Sequence, residues 1–164
     1  FNENPIKKFM NKKKRYFLDD INKEEFNLIC INSNCENYRL AYLLNMAFNS
    51  RFIKSKEEVY HNKYKVKFQS FEWNDRIKGV SCYLFSNRSL LVVDSGEKVG
   101  SLFDIPKTKE LYLIEELIDV DYILKINSGI NTVSLVKVME KISEVSYFYQ
   151  PNLSQINLDL IINF

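Results

Sequence analysis

The stretch from Asp119 to Gln150, DVDYILKINSGINTVSLVKVMEKISEVSYFYQ, constrains the fold more than any other. Val120, Tyr122, Leu124 and Ile126 alternate with Asp121, Ile123 and Lys125. That period of two belongs to a strand with one face more buried than the other. Asn127-Ser128-Gly129 breaks the pattern, with glycine free to take positive φ. Asn131 is placed to cap a helix, because its side-chain oxygen accepts from first-turn amides. Leu135, Val138 or Met139, and Ile142 mark one apolar face of that helix, while Lys137, Glu140, Lys141 and Glu144 face water. Val145 to Tyr149 is β-branched and aromatic, and Pro151 stops it.

An earlier stretch, LICINSNCENYRLAYLLNMAFN at 28–49, repeats the plan. A strand ends in Ile31-Asn32-Ser33, as the other ends in Ile126-Asn127-Ser128, and a helix follows each. A further strand is expected beyond each helix, Tyr64 to Phe71 in the first case. Two such units predict an α+β domain: a mainly antiparallel sheet with two principal helices on one face, a split βαβ (ferredoxin-like) sandwich.

Residues 1–14 read as a flexible basic tail, with Met10 a candidate start of translation, and 15–164 as one domain. Arg15 to Asp19 is expected as a short strand, Phe26 to Asn32 as the next, and Asn34 to Asn49 as the first helix. Ser50 to Asn62 is expected as loop with a turn of helix. Asn74-Asp75 signals a turn into a hairpin partner at Val80 to Ser86. Leu90 to Val93 is a further short strand, Gly100 to Tyr112 irregular, and Leu158 to Ile162 a final edge strand.

A chain of 164 residues with 46% hydrophobic content is long and apolar enough for a packed core. Its net charge of +2 gives no global field for nucleic acid or an anionic membrane. No apolar run approaches the roughly 18–20 residues of a membrane span, and a cytoplasmic protein is expected. Cys30, Cys35 and Cys82 form no CxxC, and His61 is the only histidine. No metal site or cofactor is therefore expected, and four glycines leave little room for a phosphate-cradling loop.

Two stretches resemble a known family. Asn37-Tyr38-Arg39-Leu40-Ala41-Tyr42-Leu43-Leu44-Asn45 is similar to its YRL…LN helix pattern. Ile114-Glu115-Glu116-Leu117-Ile118-Asp119-Val120-Asp121-Tyr122 resembles the signature IPExxxVDY, with Glu115 where the family has proline. The resemblance covers the chain from about Lys14 onward, although Leu90 to Leu113 is longer than the family pattern. It implies a small cytoplasmic protein of Bacteroidota with no assigned activity.

Tyr38, Arg39 and Asn45 on the helix, with Asp121 and Tyr122 on the strand, are the residues these motifs select. They form either a polar recognition patch or, as the favoured structural reading, an Arg39–Asp121 pair that fixes helix to sheet over packed tyrosines. The carboxylates at Asp19, Asp20, Glu24 and Glu25, and at Glu115, Glu116 and Asp119, fall at turns and element ends, where solvated carboxylates are ordinary. Lys78-Gly79-Val80-Ser81-Cys82-Tyr83-Leu84-Phe85 begins like an RNA-recognition strand, but Val80 and Cys82 stand where stacking aromatics belong.

The function expected first is a noncatalytic protein-interaction domain that docks a partner through an uncovered sheet face or an edge strand; a homodimer is compatible with it. The alternative is RNA or ribonucleoprotein binding through Lys12, Lys13, Lys14 and Arg15 of the tail and a strand bearing Lys65 and Lys67, with Lys78 and Trp73 on the same face. A small enzyme is the least supported.

Overall fold

The computed structural model describes residues 26–93 and 107–164. The expected tail, the strand at Arg15–Asp19, the carboxylates Asp19, Asp20, Glu24 and Glu25, and the first part of the stretch from Gly100 lie outside the described residues. In chain order the described elements begin with β1 (Asn27–Ser33), α1 (Asn37–Phe48), β2 (Ile53–Lys54), β3 (Val59–His61), β4 (Val66–Phe68) and β5 (Ser70–Asp75). They continue with β6 (Val80–Ser86), β7 (Arg88–Val93), β8 (Lys107–Tyr112), β9 (Tyr122–Ser128), α2 (Thr132–Met139) and β10 (Val145–Tyr149). Among the described residues the fold is α+β, with two α-helices and antiparallel sheets.

Six strands make the main sheet in the order β10-β1-β9-β6-β5-β2, every neighbouring pair antiparallel. β9 and β10 therefore run the same way on either side of β1, and α2 joins them as expected. Asn131 caps α2, its Oδ1 accepting from the Ser134 amide at 3.1 Å. The first unit differs from expectation. The stretch Tyr64–Phe71 is divided between β4, which pairs only with β3 in a separate hairpin, and β5 in the main sheet. From α1 the chain passes instead to β2, three strands beyond β1's neighbour β9 in the sheet order.

Alternation along the central strands sends side chains to two cores. Ile29 and Ile31 of β1, Leu124 and Ile126 of β9, and Cys82 and Leu84 of β6 pack beneath Leu40 and Leu44 of α1 and Leu135 and Met139 of α2. Both helices thus lie on one face. Each fully buried leucine of this set contributes about 1.5–3 kcal/mol relative to exposure. Trp73 belongs to the same core, edge-on to Phe48 at 6.3 Å and Phe52 at 5.9 Å.

The second face was expected to lie open, and it does not. Leu28, Cys30, Phe85 and Ile123 are buried there with Val59, Val66 and Phe68 of the β3–β4 hairpin. Leu111, Leu113, Ile114, Leu117 and Val120, with Ile161 near the end of the chain, complete the cover. The aromatic and apolar content expected to form a docking face is spent on this second core. The segments that supply it differ accordingly from their expected forms. Ser50–Asn62 contains strands and no helical turn, Lys107–Tyr112 is a strand paired with β7, and Leu158–Ile162 is a run of turns.

Gly129 closes the turn after β9 at φ +77°, against the backbone of the turn before β6. A Cβ there would stand 2.5 Å from the Gly79 carbonyl oxygen and 2.7 Å from Val80 Cα. Gly79 shares a positive φ, +65°, but a Cβ there meets nothing within 4 Å. Left-handed backbone alone costs an L-residue about 1–2 kcal/mol. Gly79→Ala is therefore expected to lose about that much in urea unfolding, and Gly129→Ala at least about 1 kcal/mol more. Equal losses would show that the close approach of the two turns is not there.

Candidate functional site

Arg39 and Asp121 do not pair. Arg39 in the first turn of α1 reaches Glu144, ahead of β10, at 2.9 Å. Asp121 takes the Ser33 amide on Oδ2 at 2.9 Å, and its Oδ1 lies 3.0 Å from Arg88 Nε in an ionic contact without hydrogen-bond geometry. The reason is strand parity. Tyr122 points to the helix face, so its neighbour Asp121 points away from α1. The hydrogen bond from Arg39 holds the Glu144 carboxyl below the usual carboxylate range, helped by one from Ser143. The pair lies at the surface, where solvent screening leaves it little weight in stability.

The other selected residues divide between structure and surface. Tyr122 is buried on the helix face, and its hydroxyl donates to the Cys35 carbonyl. Asn45 donates to the Phe52 carbonyl at 2.9 Å and accepts from Ser50 Oγ at 2.8 Å and the Phe52 amide at 2.7 Å. It staples the loop that leaves α1 through Asn49, which is left-handed at φ 52°. Tyr38 alone of the set stands free, 66% exposed. The five therefore form no common patch.

The IPExxxVDY-like segment is held from within. Ile114, Leu117, Val120 and Tyr122 are all buried, which gives that spacing a packing cause. Asn87, which sequence reasoning missed, organises the segment. Its Nδ2 donates to the Leu117 carbonyl at 2.7 Å and the Val120 carbonyl at 2.9 Å, and its Oδ1 accepts from the Ile114 amide at 3.0 Å. Asp119 lies outside this core, its carbonyl taking Asn32 Nδ2 at 3.1 Å and the Tyr147 hydroxyl at 3.0 Å.

The expected basic strand is rearranged too. Lys65 occupies the β3–β4 turn with φ 54°, Lys67 on β4 lies 3.7 Å from Glu58, and Trp73 is buried under the helices, away from any lysine face. Val80 and Cys82 are buried on the helix side and Phe85 on the other, so β6 offers no stacking platform of the RNA-recognition kind. Lys12, Lys13, Lys14 and Arg15 lie outside the described residues. His61 packs on Tyr64 with ring centroids 4.8 Å apart. Among the described residues no group of His, Cys, Asp and Glu could hold a metal ion.

The two buried thiols, Cys30 and Cys82, are not activated. Burial pushes Cys30 from 9.0 up to about 11, partly opposed by a hydrogen bond with Tyr149, and burial raises Cys82 and Tyr122 as well. Between pH 9 and 11 the folded state then holds the Cys30 proton while the unfolded thiol loses it. Stability is full below pH 9 and falls as pH rises through that window. In chemical unfolding from pH 8 to 11, Cys30→Ala is expected to show a shallower decline than the native chain; an unchanged slope would remove Cys30 from the explanation.

One edge of the main sheet is uncharged. Among the described residues β10 has only β1 as a strand partner, and Val145–Tyr149 carries neither charge nor proline. Tyr147 and Tyr149, 46% and 42% exposed, stack along it at 6.4 Å. The opposite edge, β2, is two residues long and includes Lys54. Edges of natural sheets are ordinarily blunted by brevity, lysine, proline or bulges. β2 follows that habit by brevity and lysine, whereas β10 has neither and carries one irregularity near its start, where Ser146 is the extra residue between the pairs Asn32–Tyr147 and Ser33–Val145.

No family model, curated protein or solved structure matches this chain. Among the described residues, no helix is long and apolar enough to cross a membrane.

Proposed function

We propose that the chain is a noncatalytic cytoplasmic interaction domain that receives an extended segment of a partner protein on edge strand β10. The uncharged, singly paired β10 carries this reading. An incoming strand would bond to its outward backbone groups, with Tyr147 and Tyr149 supplying side-chain contact. The same reading places the chain beside the IPExxxVDY proteins, supported by the packing role of Ile114, Val120 and Tyr122. It also takes β9, α2 and β10 around β1 as the ferredoxin-like half of the fold.

Ser146→Lys tests it, since a charge on an exposed edge residue opposes strand addition. Both chains are purified from source cells with nuclease present. A protein partner should accompany the native chain and be lost from a folded Ser146→Lys; equal recovery by both would reject the edge as the docking site.

A second reading, RNA binding, is favoured by the β3–β4 hairpin, which exposes Tyr60, Lys65 and Lys67 together. It requires nuclease-sensitive recovery and an affinity that falls steeply with salt, by a slope that Lys65→Gln and Lys67→Gln together reduce.

A further inference from the structure

The β3–β4 turn, the end of β8, the Glu115–Glu116 turn and the chain at 157–160 border an open cleft of about 350 Å³. That volume falls in the range of small-molecule sites, roughly 300–1,000 Å³. Lys63 and Tyr64 line it from the hairpin turn, Glu115, Glu116 and Asp159 from the other two segments, and the buried Leu113 supplies apolar surface.

Opposite charges thus share one cleft, yet no ion pair joins Lys63 to Glu115, Glu116 or Asp159. One group of each sign has an internal contact. The Lys63 ammonium lies 5.1 Å from the centre of the Tyr64 ring, a cation–π distance. Glu116 accepts the Asn157 amide on Oε1 at 3.2 Å, which ties the carboxylate-bearing turn to the segment that carries Asp159. Exposed charges of both signs around one space suit a molecule that carries both complements, because charge-assisted hydrogen bonds are the stronger kind.

We propose that this cleft binds a small zwitterion of amino-acid or dipeptide size, its ammonium group against the Glu115, Glu116 and Asp159 carboxylates and its carboxylate against Lys63. The site is separate from the β10 edge and stands or falls independently of it.

The test titrates the full chain with free L-amino acids and glycyl dipeptides, followed by amide chemical shifts. Amidated and N-acetylated forms of the same compounds remove one charge each. At least one zwitterion should bind saturably with a Kd of about 1 mM or tighter, and each capped form about tenfold more weakly. Lys63→Gln, an exposed position, should abolish the preference for the free carboxylate over the amide, and Glu116→Gln should weaken the ammonium preference. The proposal is overturned by an absence of saturable binding across the series, by amides that bind as well as zwitterions, or by a carboxylate preference that survives Lys63→Gln.

Discussion

Asn87→Ala is expected to cost about 3 kcal/mol of unfolding free energy, since it leaves the Val120 carbonyl and the Ile114 amide buried without this partner, while the Leu117 carbonyl keeps the Val120 amide. Asn87 is fully buried, and those three bonds fix Ile114, Leu117 and Val120 over the second sheet face. Its own backbone adds two more, the amide donating to the Asp121 carbonyl and the carbonyl accepting the Leu113 amide, both at 2.8 Å. The substitution leaves those intact, so its loss reports the side chain alone. Asn87→Asp should be no better. It keeps an acceptor for Ile114, but both donors vanish and a carboxylate is placed where charge is expensive to bury. Denaturant unfolding of the three chains checks this, and a loss under about 1 kcal/mol for Asn87→Ala would mean that the segment is held by packing alone.

Lys125→Met is the second large effect. Lys125 lies in the middle of β9 with no exposed surface, and its Nζ donates to the carbonyls of Ile161 and Ile162, each at 3.0 Å, and of Phe164. The Phe26 ring lies 4.7 Å away, within cation–π range. Methionine keeps an unbranched apolar stem of similar volume but no donor. Hydrogen bonds to charged groups contribute about 1.5–3 kcal/mol each and are not additive, so a total loss of about 3–5 kcal/mol is expected. Amide exchange should accelerate first at 161–164, ahead of the rest of the sheet. Unfolding within about 1 kcal/mol of the native chain, with exchange at 161–164 unchanged, would contradict this role.

These two residues also show where sequence reading stops. The unit from β9 to β10 was legible because its signals are local: the Asn131 cap, the turn at Gly129, and Leu135, Met139 and Ile142 on one helix face. Lys125 looked like the solvent side of a strand. Its burial depends on carbonyls 36 or more residues later, which no period of two can announce. The same holds for Lys107–Tyr112, whose composition is poor for a strand and whose extended form comes from pairing with Arg88–Val93. Leu158–Ile162 has the apolar run of a strand but turns across the second face, where Ile161 packs and Lys125 takes its carbonyl.

The candidate site was less legible than the fold. Tyr38, Arg39, Asn45, Asp121 and Tyr122 were selected by motif, and all but Tyr38 carry internal side-chain bonds that explain their presence without a ligand. Arg39 found Glu144 because Ser33 and Glu144 are brought together at the β1–β10 edge, the Ser33 hydroxyl donating to the Glu144 carbonyl at 2.7 Å. The uncovered second face expected from two helices was filled by hairpins whose short strands, β3 and β4, give weak signals of their own. What remains as the candidate for docking is the aromatic edge β10, whose sequence was legible as a strand but whose place at the edge required the sheet order.

That openness is the premise of the proposed function, and amide hydrogen exchange of the purified full chain measures it most directly. In an edge strand only the amides that face β1 are bonded to a neighbouring strand, so alternating protection is expected along Tyr147–Tyr149, beyond the register break at Ser146, with the outward amides exchanging fast. Addition of the purified partner should then protect the outward set. Uniform protection of β10 in the isolated monomer would show that the chain already covers this edge, and would contradict the docking proposal.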